Sequence, residues 1–372
     1  MTENQKLAEE MAESLMARAD KELTEYNYRM GIAMEFIWRT SETLHHPEWK
    51  EWVAKWMERF VEPDGTVPGY RQEAYSWDLL APGKNFFDLY DYTHDERYKK
   101  AMDHMWQEFK SHPRTPSGGY WHKKIYVNQV WLDGLYMYGT FLIKYAKRWG
   151  DLKAAAKEML FQFNLCYEHT VDERTGLLYH AWNEDKKMPW ADAATGRCPC
   201  IWGRALGWFT MALVEVCDLL PSTKDFFAYR ARLIELANKL AKALLRAADP
   251  ETGMWWQVMD QPKRTYNYLE TSCTSMFCYF LSHMVRQGYA YEPEAYRKAA
   301  RKAFKSMVKL DVDRSGDGQL HLKDICKSAG LGQAGPDSPY RDGTYEYYTT
   351  REPRLVDNTH GTPAFLLAAA EV

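Results

Sequence analysis

The sequence predicts an all-α fold, an (α/α)6 barrel of six helical hairpins, and three observations predict it. One phrase recurs along the chain: an amphipathic helix, a polar turn with Gly, then an aromatic residue. Two kinds of helix alternate between these turns, one apolar on a single face and one apolar nearly all round. Period-two alternation is scarce, so strands should be few and confined to loops.

The repeated turn occurs first as Glu62-Pro63-Asp64-Gly65 before Tyr70, then as Pro116-Ser117-Gly118-Gly119-Tyr120-Trp121. It returns as Asp172-Glu173-Arg174-Thr175-Gly176 before Tyr179, as Asp249 to Trp255, and as Asp313-Arg314-Ser315-Gly316-Asp317-Gly318. The period is roughly 50–75 residues, longer than common solenoid repeats and stretched by loops of unequal length. Helix starts fall near residues 4, 27, 47, 80, 95, 128, 151, 201, 223, 270, 292 and 361. The odd-numbered helices carry one apolar face, such as Met102, Met105, Trp106 and Phe109, or Leu233, Leu236, Leu240 and Leu244, with Lys, Arg or Glu opposite. They read as an outer ring. The even-numbered helices include Leu206 to Leu220, Thr274 to Met284 and Pro363 to Ala370, apolar on every side, and read as an inner ring. A superhelical solenoid is the competing architecture, and all-round burial of the inner helices favours closure. No Pro/Ser/Gly-rich linker interrupts the chain, so residues 1–372 read as one domain.

Composition narrows the function. Hydrophobic residues are 46% and aromatics 15%, with 15 Trp and 25 Tyr, a supply that suits both a large core and a cleft whose ring faces cover sugars. A net charge of −3 argues against nucleic acid or another polyanion as partner, while leaving room for one local basic pocket. The first residues, Met1 to Lys6, are polar, and no run reaches transmembrane length, so a cytoplasmic protein without a membrane partner is expected. The seven cysteines are an odd number, and several sit in apolar helical stretches, as reduced buried thiols do. Cys198-Pro199-Cys200 lacks both zinc spacing and a second pair, so no metal site is expected. Oligomeric state is not encoded in any recognisable way.

Inner helices of such a barrel run one way, so their N-termini share one rim, and the unusual polar residues cluster at those starts. Tyr28 and Arg29 open the first inner helix. Asp78 precedes Pro82-Gly83-Lys84 at the second, and Asp133 opens the third inside the apolar, aromatic run Asn128 to Gly139. Trp202, Arg204 and Trp208 lie in the first turns of the fourth, Glu270, Thr271 and Ser272 open the fifth, and His360 and Gly361 the last. Loops bring Lys123, Lys124 and Tyr179-His180-Ala181-Trp182 to the same rim. Six helix N-termini facing one cavity favour an anion, which Arg204 can hold by a two-pronged hydrogen bond. A carboxylate in an apolar run is costly unless paired or protonated, and a protonated one is a general acid. Each residue also has a plain reading: Asp78 and Asp133 as helix N-caps, Arg204 as the partner of a nearby acid, Trp202 and Trp208 as core, His180 as structural. Their joint placement on one rim favours the functional reading.

The chain resembles glycoside hydrolase family 105, the unsaturated rhamnogalacturonyl hydrolases, and more distantly the family 88 unsaturated glucuronyl hydrolases. The resemblance spans nearly the whole chain. It rests on Gly119-Tyr120-Trp121-His122-Lys123, Gln129 to Met137, Tyr179-His180-Ala181-Trp182, Trp202-Gly203-Arg204-Ala205-Leu206-Gly207-Trp208 and Leu322-Lys323-Asp324-Ile325-Cys326. It implies Asp133 as general acid/base and Asp78 as the second essential carboxylate. It implies His180, Trp202, Arg204 and Trp208 as walls of the uronate subsite, with Tyr28, Arg29 and Lys123 toward the other sugar. The implied substrate is a short lyase-cut oligosaccharide with a 4,5-unsaturated uronic acid at its non-reducing end. A proton from Asp133 to C4 and water to C5 would give a hemiketal that opens and expels the neighbouring sugar, with no metal or organic cofactor. Asp78 would keep a proton on Asp133 by like-charge repulsion or bind sugar and water. The loop Lys327 to Asp342 looks longer than in some relatives and reshapes the outer pocket. An unsaturated glucuronyl hydrolase is the nearest alternative. An epimerase, which needs paired rim histidines, a lyase and a non-catalytic oligosaccharide-binding barrel are alternatives from other classes.

Overall fold

The computed structural model describes residues 1–314 and 316–372. Among the described residues, twelve helices of nine residues or more alternate between two rings. The outer ring is α1 (Glu3–Glu22), α3 (Pro47–Glu58), α5 (Glu96–Trp106), α7 (Leu152–Thr170), α9 (Lys224–Ala247) and α11 (Pro293–Asp311). The inner ring is α2 (Tyr28–Leu44), α4 (Asn85–Thr93), α6 (Leu132–Trp149), α8 (Gly203–Leu219), α10 (Thr271–Arg286) and α12 (Thr362–Glu371). Each boundary follows the hydropathy pattern. Every residue of α8 from Gly203 to Cys217 is buried, as is α10 from Thr271 to Leu281, whereas α9 and α11 bury one stripe.

The inner ring closes. Helix α2 packs on the tight turn Ala81–Lys84, that turn on α6, α6 on α8, α8 on α10, α10 on α12, and α12 back on α2. Pro82 lies in that turn and has no N–H to donate, which suits a short 3₁₀ stretch before α4. The fold is therefore all-α, a helical barrel of six hairpins.

The turn glycines of the repeat share one conformation: Gly65, Gly118, Gly176, Gly253 and Gly318 all have φ between 78° and 95°. Two of these turns are chemically identical. Asp172 accepts from the amide and hydroxyl of Thr175, and Asp249 does the same for Thr252. A further copy, absent from the sequence reading, occurs at Asp192 to Gly196, where Asp192 accepts from Thr195 in the same two ways. The last copy, Asp313–Gly318, includes Ser315, which lies outside the described residues.

Strands are two or three residues long and confined to loops, as expected. The pair that positions the rim is β1 (Gln129–Trp131) with β2 (Ala181–Asn183), antiparallel, Trp131 opposite Ala181. Among the described residues, no helix is long and apolar enough to cross a membrane.

Candidate active site

Strand β1 runs straight into α6, and the β1–β2 ladder fixes what stands over the start of that helix. The Leu132 N–H donates to the His180 carbonyl at 3.2 Å. That bond sets the imidazole of His180 beside Asp133, with Nε2 3.3 Å from Asp133 Oδ2. The pair is close yet not aligned for a hydrogen bond, and both atoms are buried without another partner among the described residues. Asp133 is not an N-cap: Trp131 occupies that position, and Asp133 lies in the first turn. Gly134 lets the helix pass the ring of His122, since a Cβ there would stand 3.3 Å from its Nδ1.

Asp78 also sits inside a first helical turn, Trp77–Leu80, and is not its N-cap. Lys123 reaches it in an ion pair, and His122 Nε2 lies 3.5 Å from its other oxygen. Burial pushes the Asp78 carboxyl up, but Lys123 and His122 more than offset this and hold it below the ordinary carboxylate range. Burial likewise keeps His122 neutral, with its pKa pushed down to about 4. Lys123 thus faces a carboxylate of the protein.

Arg204 is 1% exposed and fixed on two sides. Its Nε donates to Ser272 Oγ at 2.8 Å, and Nη2 donates to the Cys326 carbonyl and lies 3.5 Å from Glu270 Oε1. Glu270 caps α10 by accepting from Cys273 N at 2.7 Å, and it accepts from Cys326 N as well. Burial is the largest influence and works against the guanidinium charge, but Glu270 together with Cys326, Tyr28 and Tyr268 outweighs it, so the arginine stays charged. The acidic-neighbour reading of Arg204 is therefore correct, yet incomplete, because Nη1 is buried with no hydrogen-bond partner among the described residues. The glycines of the Trp-Gly-Arg motif permit this placement. A Cβ on Gly203 would stand 2.7 Å from Cys273 Sγ, so only glycine lets α8 come this close to α10.

The charges acting on His360 are all positive. His360 is kept neutral by burial and by Arg204, Arg29 and Lys327, which all act on it in the same direction. The Tyr28 ring meets His360 edge-on at 5.5 Å. Its phenol is pushed up by burial first, then by Asp78 and Asp133, with Arg204 opposing, which puts Tyr28 in the electrostatic reach of both carboxylates. Trp202 lies under the Arg204 guanidinium at 5.3 Å and beside His180 at 4.8 Å. Trp208 is deeper, 2% exposed and packed on Tyr136 at 4.7 Å, an interior wall. Arg29, 31% exposed at its side chain, opens onto a polar recess of about 390 Å³ lined by Lys21, Glu25, Asp357 and Asn358.

The structure thus gathers Asp78, Asp133, Tyr28, Arg29, Lys123, His180, Trp202 and Arg204 at one end of the barrel, with Trp208 beneath them. It adds four groups that the sequence reading left out of the site: His122, Lys327, Tyr348 and His360. His122 stands beside Lys123 in a quoted motif, and His360 was noted only as a helix start. Tyr348 sits in the aromatic cluster Tyr345, Tyr347, Tyr348, its one visible signal. The loop Lys327 to Asp342 covers the site's edge: Leu331 joins a small apolar cluster with Tyr126, Trp131, Trp190 and Cys198, and Arg341 donates to Tyr126 Oη at 2.8 Å.

Residues 5–372 match the model of Glycosyl Hydrolase Family 88. A solved glycoside hydrolase from family 105 of C. acetobutylicum ATCC 824 is 37% identical, with 98% of each chain covered and a TM-score of 0.91. Protein Atu3128 of Agrobacterium fabrum is 34% identical over 233 residues, 62% of this chain and 96% of that protein. The unsaturated glucuronyl hydrolase of Bacillus sp. GL1, at 14% identity, covers 97% of this chain and 93% of its own with a TM-score of 0.62, and shares the fold. The chain therefore belongs to the glycoside hydrolases of the family 88 model and of family 105.

Proposed function

We propose that this protein is an unsaturated rhamnogalacturonyl hydrolase, releasing the 4,5-unsaturated uronic acid from the non-reducing end of lyase-generated pectin fragments. The observation that carries the reading is the partnerless Nη1 of Arg204, buried at the rim beside Arg29, Lys327 and a neutral His360. A buried charged donor left without an acceptor is a site built for an anion, and a uronate carboxylate fits it. Asp133, beside His180, is the acid, with Asp78 held ionised by Lys123.

In this reading protonated Asp133 donates to C4 of the vinyl ether. Positive charge develops at C5 and the ring oxygen, where ionised Asp78 would stabilise it electrostatically. Water adds at C5 and returns a proton to Asp133. The hemiketal opens and the neighbouring sugar leaves, with no attack at the anomeric carbon, so the two-carboxylate spacing rule of ordinary glycosidases does not govern the outcome. The recess beside Arg29 supports room for the leaving sugar. The free, buried thiols support a reducing, cytoplasmic setting.

The test follows the ultraviolet absorbance of the conjugated double bond in unsaturated galacturonyl–rhamnose. Loss of absorbance with wild type, falling by about a hundredfold or more in Asp133→Asn while the fold survives, is the expected result. Loss only on unsaturated glucuronyl disaccharides would keep the chemistry and move the substrate. Equal turnover by wild type and Asp133→Asn would sink the mechanism, and inertness on both sugars would favour a binding or isomerising barrel.

A further inference from the structure

The rim contains a buried relay that the reaction scheme above leaves unused. His180 is fully buried, and its Nδ1 lies 2.6 Å from the hydroxyl of Tyr348. Tyr348 is also fully buried, on a turn of wide, π-type helix at Tyr347–Arg351, a local form often found where function displaces a side chain. Its backbone is anchored to the site wall: Gln257 Nε2 donates to the Tyr348 carbonyl, and Trp202 Nε1 donates to Gln257 Oε1, both at 3.1 Å.

We propose that Tyr348 is a positioning residue that holds His180 as the neutral Nε2–H tautomer, so that a hydrogen-bond donor, and no base, faces Asp133. Among the described residues the phenol hydroxyl has one hydrogen-bond partner, His180 Nδ1. Burial pushes the Tyr348 hydroxyl well above its ordinary range, so its proton stays on. A buried O–H needs an acceptor, and the lone pair of Nδ1 is the one in reach. Nδ1 is then unprotonated and Nε2 carries the hydrogen, pointing at Asp133 Oδ2 across 3.3 Å. A proton on Nδ1 instead would turn the phenol oxygen into an acceptor and orphan its own hydrogen in the core.

The consequence rests on the proposed reaction. With Nε2–H beside Oδ2, the acidic proton of Asp133 sits on Oδ1 and leaves from there to C4. The carboxylate that remains gains the Nε2–H bond, and the pair, misaligned in the free enzyme, tightens as charge develops. When water adds at C5, its proton returns to Asp133 and His180 ends as it began.

The experiment is nitrogen-15 NMR of the histidine rings in the full-length protein at neutral pH, with His180→Gln to assign the signals. The expected wild-type spectrum has His180 Nδ1 unprotonated and Nε2 protonated. In Tyr348→Phe the ring should redistribute between tautomers or become doubly protonated, and kcat should fall about tenfold with KM changed by less than about twofold. A wild-type proton on Nδ1, or on both nitrogens, would overturn the proposal, as would an unaltered tautomer in Tyr348→Phe. The wild-type spectrum decides alone if Tyr348→Phe does not fold. The tautomer is read without substrate, so failure of the assignment and failure of the proposed hydrolase activity are separate results.

Discussion

Arg204 shows how one side chain can be both structural and poised for a ligand. Ser272, Glu270 and the Cys326 carbonyl hold its fork in one plane and leave Nη1 free. Arg204→Lys keeps the charge but cannot reach Ser272 and Cys326 while also offering a donor to the pocket. We expect KM for an unsaturated uronyl disaccharide to rise about tenfold or more, with kcat altered far less, measured by the absorbance assay. The residue types at this rim were legible in the sequence because they break an apolar pattern: a carboxylate in Asn128 to Gly139, an arginine between tryptophans. Their partners were not. That Lys123 serves Asp78, or that Glu270 spans Arg204 and Cys326, depends on contacts between segments distant in the chain, and no local pattern records them. Tyr348 was hidden for the same reason, since a buried Tyr in an aromatic run looks like core until its hydroxyl is seen on His180.

At the scale of elements, the alternation of half-apolar and wholly apolar helices was enough to assign both rings, because burial on one side or on all sides is written in hydropathy. The helix starts agree with the observed ones to within a few residues for most elements. The exceptions are physical. The second inner helix is broken by Pro82 into a turn, a 3₁₀ stretch and α4, and the third begins after β1, whose pairing with β2 could not be read from three residues. Close approach of α8 and α10 depends on glycine. A Cβ on Gly207 would stand 2.9 Å from Met276 Cβ, well inside contact distance. Gly207→Ala gains about 1 kcal/mol of helix propensity and loses more to the forced separation. A net destabilisation of about 1–3 kcal/mol is expected from denaturant midpoints, with turnover reduced because Arg204 moves away from Ser272.

The whole molecule is held shut at its last helix. Glu371 of α12 accepts from Arg286 Nε at 2.8 Å and lies 3.1 Å from His283 Nδ1, both on α10. Burial pushes the Glu371 carboxyl up, and His283 and Arg286 overcome it, holding it down at about 2. A carboxyl depressed in the fold contributes stability that is present above its unfolded value and lost as pH falls through the folded one. Glu371→Gln should therefore cost about 2 kcal/mol at neutral pH, and its difference from wild type should shrink between about pH 4.5 and pH 2, measured by thermal unfolding across that range. We propose that residues 1–372 act as one domain, so each melt should show a single transition.

Ring closure also fixes an order in time. The Leu320 N–H donates to the Ser14 hydroxyl, 306 positions away, and Tyr28 meets His360 across the same seam. A ribosome releases Tyr28, Asp78 and Asp133 long before α12 exists to seat beside α2. Through most of synthesis the nascent chain therefore carries both rim carboxylates in an open arc of hairpins with apolar inner faces uncovered. Such long-range closure is slow to form and prone to association while incomplete, a cost of joining the first and last hairpins into one ring.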